Sequence, residues 1–227
     1  MCKGVCFVIS RKGKIYSSTK NVSGHESIIK ENYIRDNCMG NIVRIEMLPK
    51  GYLFSTERED WDFSVDEKDP PKWFTENKQE FKDKCYNKLW SIIANWKKSN
   101  IIEGSLNLCA TQIKSLGKLE SIEGSLDLKN TQIKTLGNLQ SVGGFLDLEN
   151  VPITTLGSLK SVELWLDIRG TKMKTLGKLE RVGTWLNLRD TQIKTLGNLK
   201  TVGGDLLLSR DQAINVKHYI HGRIIKL

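Results

Sequence analysis

The sequence predicts an α+β chain: a small N-terminal α+β domain and a capping helix, followed by a right-handed parallel β-solenoid of about five to six coils. Three observations carry this. One 20-residue unit recurs without drift from 101 to 208. Each unit holds a Leu-x-Leu alternation. Immediately before the first unit, the apolar period changes to that of a helix.

The N-terminal domain is read across 1–74. Residues 5–9 (VCFVI) form a strand, Lys12 and Gly13 a turn, and IYSS a second strand. Ser23 stands three residues before Glu26, a capping-box spacing that predicts a short helix through Ile28, Ile29 and Tyr33. IVRIEML from Ile42 and YLF from Tyr52 read as further strands joined through Pro49 and Gly51, and WDFSVDE from Trp61 alternates until Pro70 and Pro71 stop it.

Across 75–100, Phe81, Cys85, Leu89, Ile92 and Trp96 fall on one stripe at spacings of three and four. A solenoid leaves its end rung uncovered, so this helix is assigned as its N-terminal cap, packing Trp90, Ile93 or Trp96 near Ile101 and Leu106. Residues 209–227 abandon the repeat and form the C-terminal cap.

A single 20-residue unit cannot bury its apolar side alone and must stack on its neighbours. In the unit from Ser121, the inward positions are Ile122, Leu126, Leu128, Ile133, Leu136 and Leu139. Leu126 and Leu128 bracket Asp127, so one short strand per coil is expected, with its odd residues facing solvent. Gly137, Gly157, Gly177 and Gly197 follow an inward leucine where the chain must turn. Thr111, Thr131, Thr171 and Thr191 align as a ladder whose hydroxyls can bond the bend, and Val151 interrupts it.

The pattern L-x-L-x-x-T-x-I-x-x-L-G-x-L resembles a short bacterial leucine-rich repeat, and I-x-G-x-L-x-L resembles the receptor L-domain type of right-handed β-helix. The resemblance implies recognition of proteins or ligands through the sheet face. Threonine stands where such repeats usually carry asparagine. SGHESII, VRIEMLP and DWDFSVDEKDPPKWF resemble the opening domain of phage and prophage proteins of uncharacterised function. That implies a viral or mobile-element origin and action inside a bacterial host.

Composition narrows the function classes. No apolar run approaches the roughly 20 residues of a membrane helix, and Met1 to Ser10 lacks the apolar region of a signal peptide, so a cytoplasmic location in the host is expected. Cys2, Cys6, Cys38, Cys85 and Cys109 are odd in number and irregular in spacing, which reads as reduced thiols. The formal charge of +9 is spread out: residues 1–100 hold 18 Lys and Arg against 14 Asp and Glu, and residues 101–227 hold 17 against 12. Nucleic acid is therefore not a required partner. Lys114, Lys134, Lys174 and Lys194 form a second ladder, read as a solvated edge or an anion contact.

Residues with chemistry are few. His25 beside Glu26 could serve as a general base, yet spacing names no partner, and it reads as structural. His218 and His221 would suit a metal on a helix but lack a third ligand. Asp60, Asp62, Asp66, Glu67 and Asp69 surround Trp61 and Phe63 as a solvated or partner-facing edge. No catalytic residue, metal or cofactor is assigned.

The strand face of the solenoid is the richest surface. The outward position before the central one reads Ser105, Ser125, Phe145, Trp165, Trp185 and Asp205; the central one reads Asn107, Asp127, Asp147, Asp167, Asn187 and Leu207; the one after reads Cys109, Lys129, Glu149, Arg169, Arg189 and Ser209. Rungs about 4.8 Å apart should stack Phe145, Trp165 and Trp185 as a three-ring ladder. The expected binding residues are these three with Asp147, Asp167, Arg169 and Arg189. Exposed Trp beside Arg is the composition of an interaction hot spot, which points to a protein partner; the phage-like resemblance implies that this is a host protein, such as part of a defence system. The alternative is a nucleotide or single-stranded nucleic acid, with Trp165 and Trp185 stacking bases and Arg169 and Arg189 holding phosphates. The aspartate row repels phosphate, which ranks that reading second.

Overall fold

The computed structural model describes residues 3–18, 24–34, 40–214, 216 and 220–227. It shows a small N-terminal α+β region followed by a parallel β-solenoid of six coils.

Four N-terminal strands, β1 (Val5–Ser10), β2 (Ile15–Tyr16), β3 (Ile42–Pro49) and β4 (Trp61–Val65), form an antiparallel sheet in the order β2-β1-β3-β4. Side chains alternate across it, so each strand serves two layers. Val5, Phe7, Ile9, Val43, Ile45 and Met47 face helix α3 (Lys78–Ser99), whereas Cys6, Val8 and Ile42 pack with Ile28 and Ile29 of helix α1 (His25–Glu31).

Three local expectations change. YLF is not a strand: Tyr52 makes one isolated bridge to Ser115, and the Leu53 N–H donates to the Ser115 carbonyl, because buried Leu53 is spent on the first coil. A short helix α2 (Lys72–Thr75) precedes α3, and the buried stripe of α3 runs through Ile93, with Ile92 only partly covered. Helix α1 begins after Gly24 and ends at Glu31, short of Tyr33, whose φ is +51°; the capping-box Ser23 lies outside the described residues.

Helix α3 caps the solenoid as its position in the sequence predicts. Ile93 and Trp96 share one continuous core with Ile102 and Leu106, so the apolar interior runs unbroken from the sheet into the coils. Backbone bonds close the first rung: Gly4 N–H to Asn107 O at 2.7 Å, Lys114 N–H to Gly51 O at 2.9 Å and Glu120 N–H to Asn100 O at 2.9 Å. These occupy donors and acceptors that an open end rung would leave for another chain.

Each coil carries two strands, not the one predicted. The Leu-Asp strands, from Leu106–Asn107 to Leu206–Leu208, pair in parallel with partners 20 residues apart, and Ile224–Lys226 closes that sheet as a seventh strand. A second, six-stranded sheet stacks Ile101–Ile102, Ser121–Ile122 and their successors. Two-residue strands contain no full alternation, which is why the pattern did not disclose it. Leu126, Leu128, Ile133, Leu136 and Leu139 and their equivalents are fully buried, each contributing roughly 1.5–3 kcal/mol.

The turn glycine is required by conformation: Gly137 has φ +60° and Gly157 φ +61°, and a Cβ on Gly157 would meet the Gly137 carbonyl oxygen at 2.5 Å. The threonine ladder behaves as expected at Thr111, Thr171 and Thr191, whose hydroxyls donate to the carbonyls of Leu108, Ile168 and Leu188 at 2.7 Å. Thr131 is the exception, fully buried with its hydroxyl unpartnered.

Candidate binding face on the solenoid

The 20-residue register places Phe145, Trp165 and Trp185 at one position of three successive rungs. Their rings stack as the spacing predicts: centroids are 4.2 Å apart between Phe145 and Trp165 and 4.7 Å between Trp165 and Trp185, with planes within 2° and 5° of parallel. All three are half-buried. Since each ring lies one sheet spacing from the next, both faces of Trp165 are occupied and it offers solvent only an edge.

The central row differs from expectation. Read as outward-facing, it is instead drawn in: Asp167 and Asn187 are buried and Asp127 and Asp147 half-buried. Each side chain folds back on the chain two residues ahead. Asp127, Asp147 and Asp167 accept the N–H of Lys129, Glu149 and Arg169 at 2.9–3.0 Å, and Asn107 and Asn187 do the same for Cys109 and Arg189. The row is therefore a ladder of Asx turns holding the strand exits. Asn187 also donates through Nδ2 to Asp167 Oδ2 at 3.0 Å. Stacking like charges has a cost: burial, followed by Asp127 and Asp167, pushes the Asp147 carboxyl up to about 6, and burial also raises Asp127.

Beside this row runs a rail of paired charges. Glu149 bridges Lys129 and, at 2.7 Å, Arg169, and the hydrogen bond from Lys129 holds its carboxyl below the usual range. Arg189 stands outside this triad, donating through Nε to Asn187 Oδ1 at 3.1 Å, and makes no ion pair among the described residues. At that end a cavity of about 280 Å³ opens, bounded by Asp167, Trp185, Asn187, Arg189, Asp205, Leu207 and Ile225. The structure thus places all seven sequence-predicted residues on one face; the sequence put Lys129 and Glu149 on that face without assigning them to the site, and it gave no sign of the cavity.

Other predicted features fall elsewhere. Lys114, Lys134, Lys174 and Lys194 are exposed. Cys85 is a buried thiol, which burial raises to about 12, and Cys109 is partly covered; Cys2 and Cys38 lie outside the described residues. His218 does too, and His221 sits in an exposed bend, its N–H on Val202 O. The acidic run is more engaged than a solvated edge: Asp62 pairs with Lys50, Glu67 with Arg44, and Asp66 with His25. Among the described residues, no helix is long and apolar enough to cross a membrane.

No family model, curated protein or solved structure matches this chain.

Proposed function

We propose that the chain is a non-catalytic binding protein, encoded by a phage or prophage, that recognises a host protein through the aromatic and charged strand face. The observation that carries this is the continuous stack of Phe145, Trp165 and Trp185 beside the Lys129–Glu149–Arg169 rail. Packed rings form a rigid, half-buried apolar stripe whose ordering entropy has already been lost in folding. A stripe of this kind, rimmed by paired charged groups, suits a protein surface. A defence-system component fits a phage-like N-terminal domain.

Nucleic acid suits the face less well. Stacked at 4.2 and 4.7 Å, the rings leave no room for a base between them, and Glu149 already engages Arg169, one of the two arginines a phosphate would use. One observation favours a narrower form of this reading: the cavity at Trp185 and Arg189 could take a single nucleotide against the last ring.

Affinity capture from nuclease-treated bacterial lysate tests the main reading, comparing the native chain with a Trp165→Ala/Trp185→Ala double variant that still unfolds cooperatively in urea. A protein held by the native chain and released by the variant is expected. Equal capture by both overturns the proposal, and Trp185 fluorescence that responds to nucleotides, with strong salt dependence, promotes the second reading.

A further inference from the structure

We propose that the N-terminal domain holds a mononuclear divalent transition-metal site formed by His25, Glu46 and Asp66. Their candidate ligand atoms all lie within 4.8 Å of one another, although the residues come from α1, β3 and the segment after β4. The sheet makes this meeting. The Asp66 N–H bonds the Arg44 carbonyl at 3.0 Å, continuing the β3–β4 ladder so that Asp66 falls on the same side as Glu46, under the start of α1.

The histidine is oriented as a ligand would be. His25 is 3 % exposed, and its Nε2 lies 3.0 Å from the Ile45 carbonyl oxygen, which can only accept. Nε2 therefore carries a proton, and Nδ1 is directed at Asp66 Oδ2, 3.1 Å away, a gap that a proton or a metal ion can fill. A ring N–H fixed on a backbone carbonyl, with the other nitrogen facing carboxylates, is the outer-shell arrangement that sets the tautomer of metal-bound histidines.

Distances agree. Two ligands about 2.1 Å from a shared ion stand about 3.0–3.4 Å apart in octahedral or tetrahedral geometry, which brackets the Nδ1–Oδ2 separation. One neutral imidazole and two carboxylates balance a divalent charge, and this mixed N/O set suits Zn²⁺, Mn²⁺ or Fe²⁺. Glu46 is steadied by the Lys3 N–H on Oε1 at 2.8 Å. Three protein ligands leave coordination positions facing a cavity of about 580 Å³, also lined by Gly24, Ser27 and Arg44. The competing occupant of the gap between Nδ1 and Oδ2 is a proton, which would make the pair a simple ion pair.

The full chain, freed of metal by chelator, would be titrated with Mn²⁺ and Zn²⁺ by calorimetry, with Mn²⁺ spin resonance and thermal unfolding as parallel readouts. One bound equivalent and a raised Tm are expected. Asp66→Asn and Glu46→Gln should each weaken binding about tenfold or more, as should His25→Gln. Should His25→Gln not fold, the carboxylate variants, which keep the buried ring, carry the test. The Trp165→Ala/Trp185→Ala chain should bind metal as the native chain does, separating this site from the strand face. No uptake by the native chain, or uptake unchanged in Asp66→Asn and Glu46→Gln, overturns the proposal.

Discussion

Trp165 and Trp185 lie 4.7 Å apart, centroid to centroid, with planes 5° from parallel, although 20 residues separate them in sequence. That separation is the spacing of neighbouring strands, so the stack is a product of register. The solenoid converts a repeat in the chain into a row on a surface, and the aromatic stripe is rigid because the coils beneath it are.

Trp165→Ala removes the middle ring and both stacking contacts. Each is worth about 0.5–1.5 kcal/mol, so a loss of about 1–3 kcal/mol in urea unfolding is expected, while the coil persists because Leu166 and Ile168 remain buried. The exciton signal of the coupled indoles in circular dichroism should vanish. Its persistence would mean that the rings do not stack in solution.

Asp147→Asn should stabilise the protein at neutral pH. The folded carboxyl is raised from 3.8 to about 6, so the native state binds the proton more tightly than the unfolded chain does. That contribution is full below about pH 4 and is lost as pH rises through about 6. Asparagine keeps the acceptor for the Glu149 N–H, as Asn107 and Asn187 do on their own rungs. A gain on the order of 1–2 kcal/mol at pH 7, shrinking towards pH 4, is expected from unfolding across pH. A variant less stable than the native chain at pH 7 would refute the cause given.

The coil count, the buried leucines and the ring stack were legible because a 20-residue period translates directly into register. The role of the central aspartates was not. Alternation reads Asp127 as outward, but the strand is only two residues long and the carboxylate turns back to the Lys129 N–H. The second sheet escaped for the same reason of brevity. The cluster around His25 had no linear signal, since Glu46 and Asp66 join it through the antiparallel register of β3 and β4.

Gly157→Ala and Gly177→Ala test the turn. Both glycines have positive φ, +61° and +59°, so alanine is strained at either by about 1–2 kcal/mol. Only at 157 would the new Cβ also strike backbone, 2.5 Å from the Gly137 oxygen, whereas nothing lies within 4 Å at 177. The loss of midpoint in urea should be clearly larger for Gly157→Ala. Equal losses would show that the coils relax apart there.

Thr131→Val and Thr171→Val should move stability in opposite directions. At Thr171 the hydroxyl donates to the Ile168 carbonyl at 2.7 Å, and valine would leave that buried acceptor without this donor, costing about 1 kcal/mol. At Thr131 the hydroxyl is buried and has no partner, so folding strips its water and returns nothing. Valine matches threonine in shape, and the adjacent coil already carries it at the equivalent rung, where Val151 is buried. Thr131→Val should therefore raise the urea midpoint by an amount equivalent to about 1 kcal/mol. A loss comparable to that of Thr171→Val would show that the Thr131 hydroxyl turns to bond the Leu128 carbonyl, completing the ladder its neighbours form.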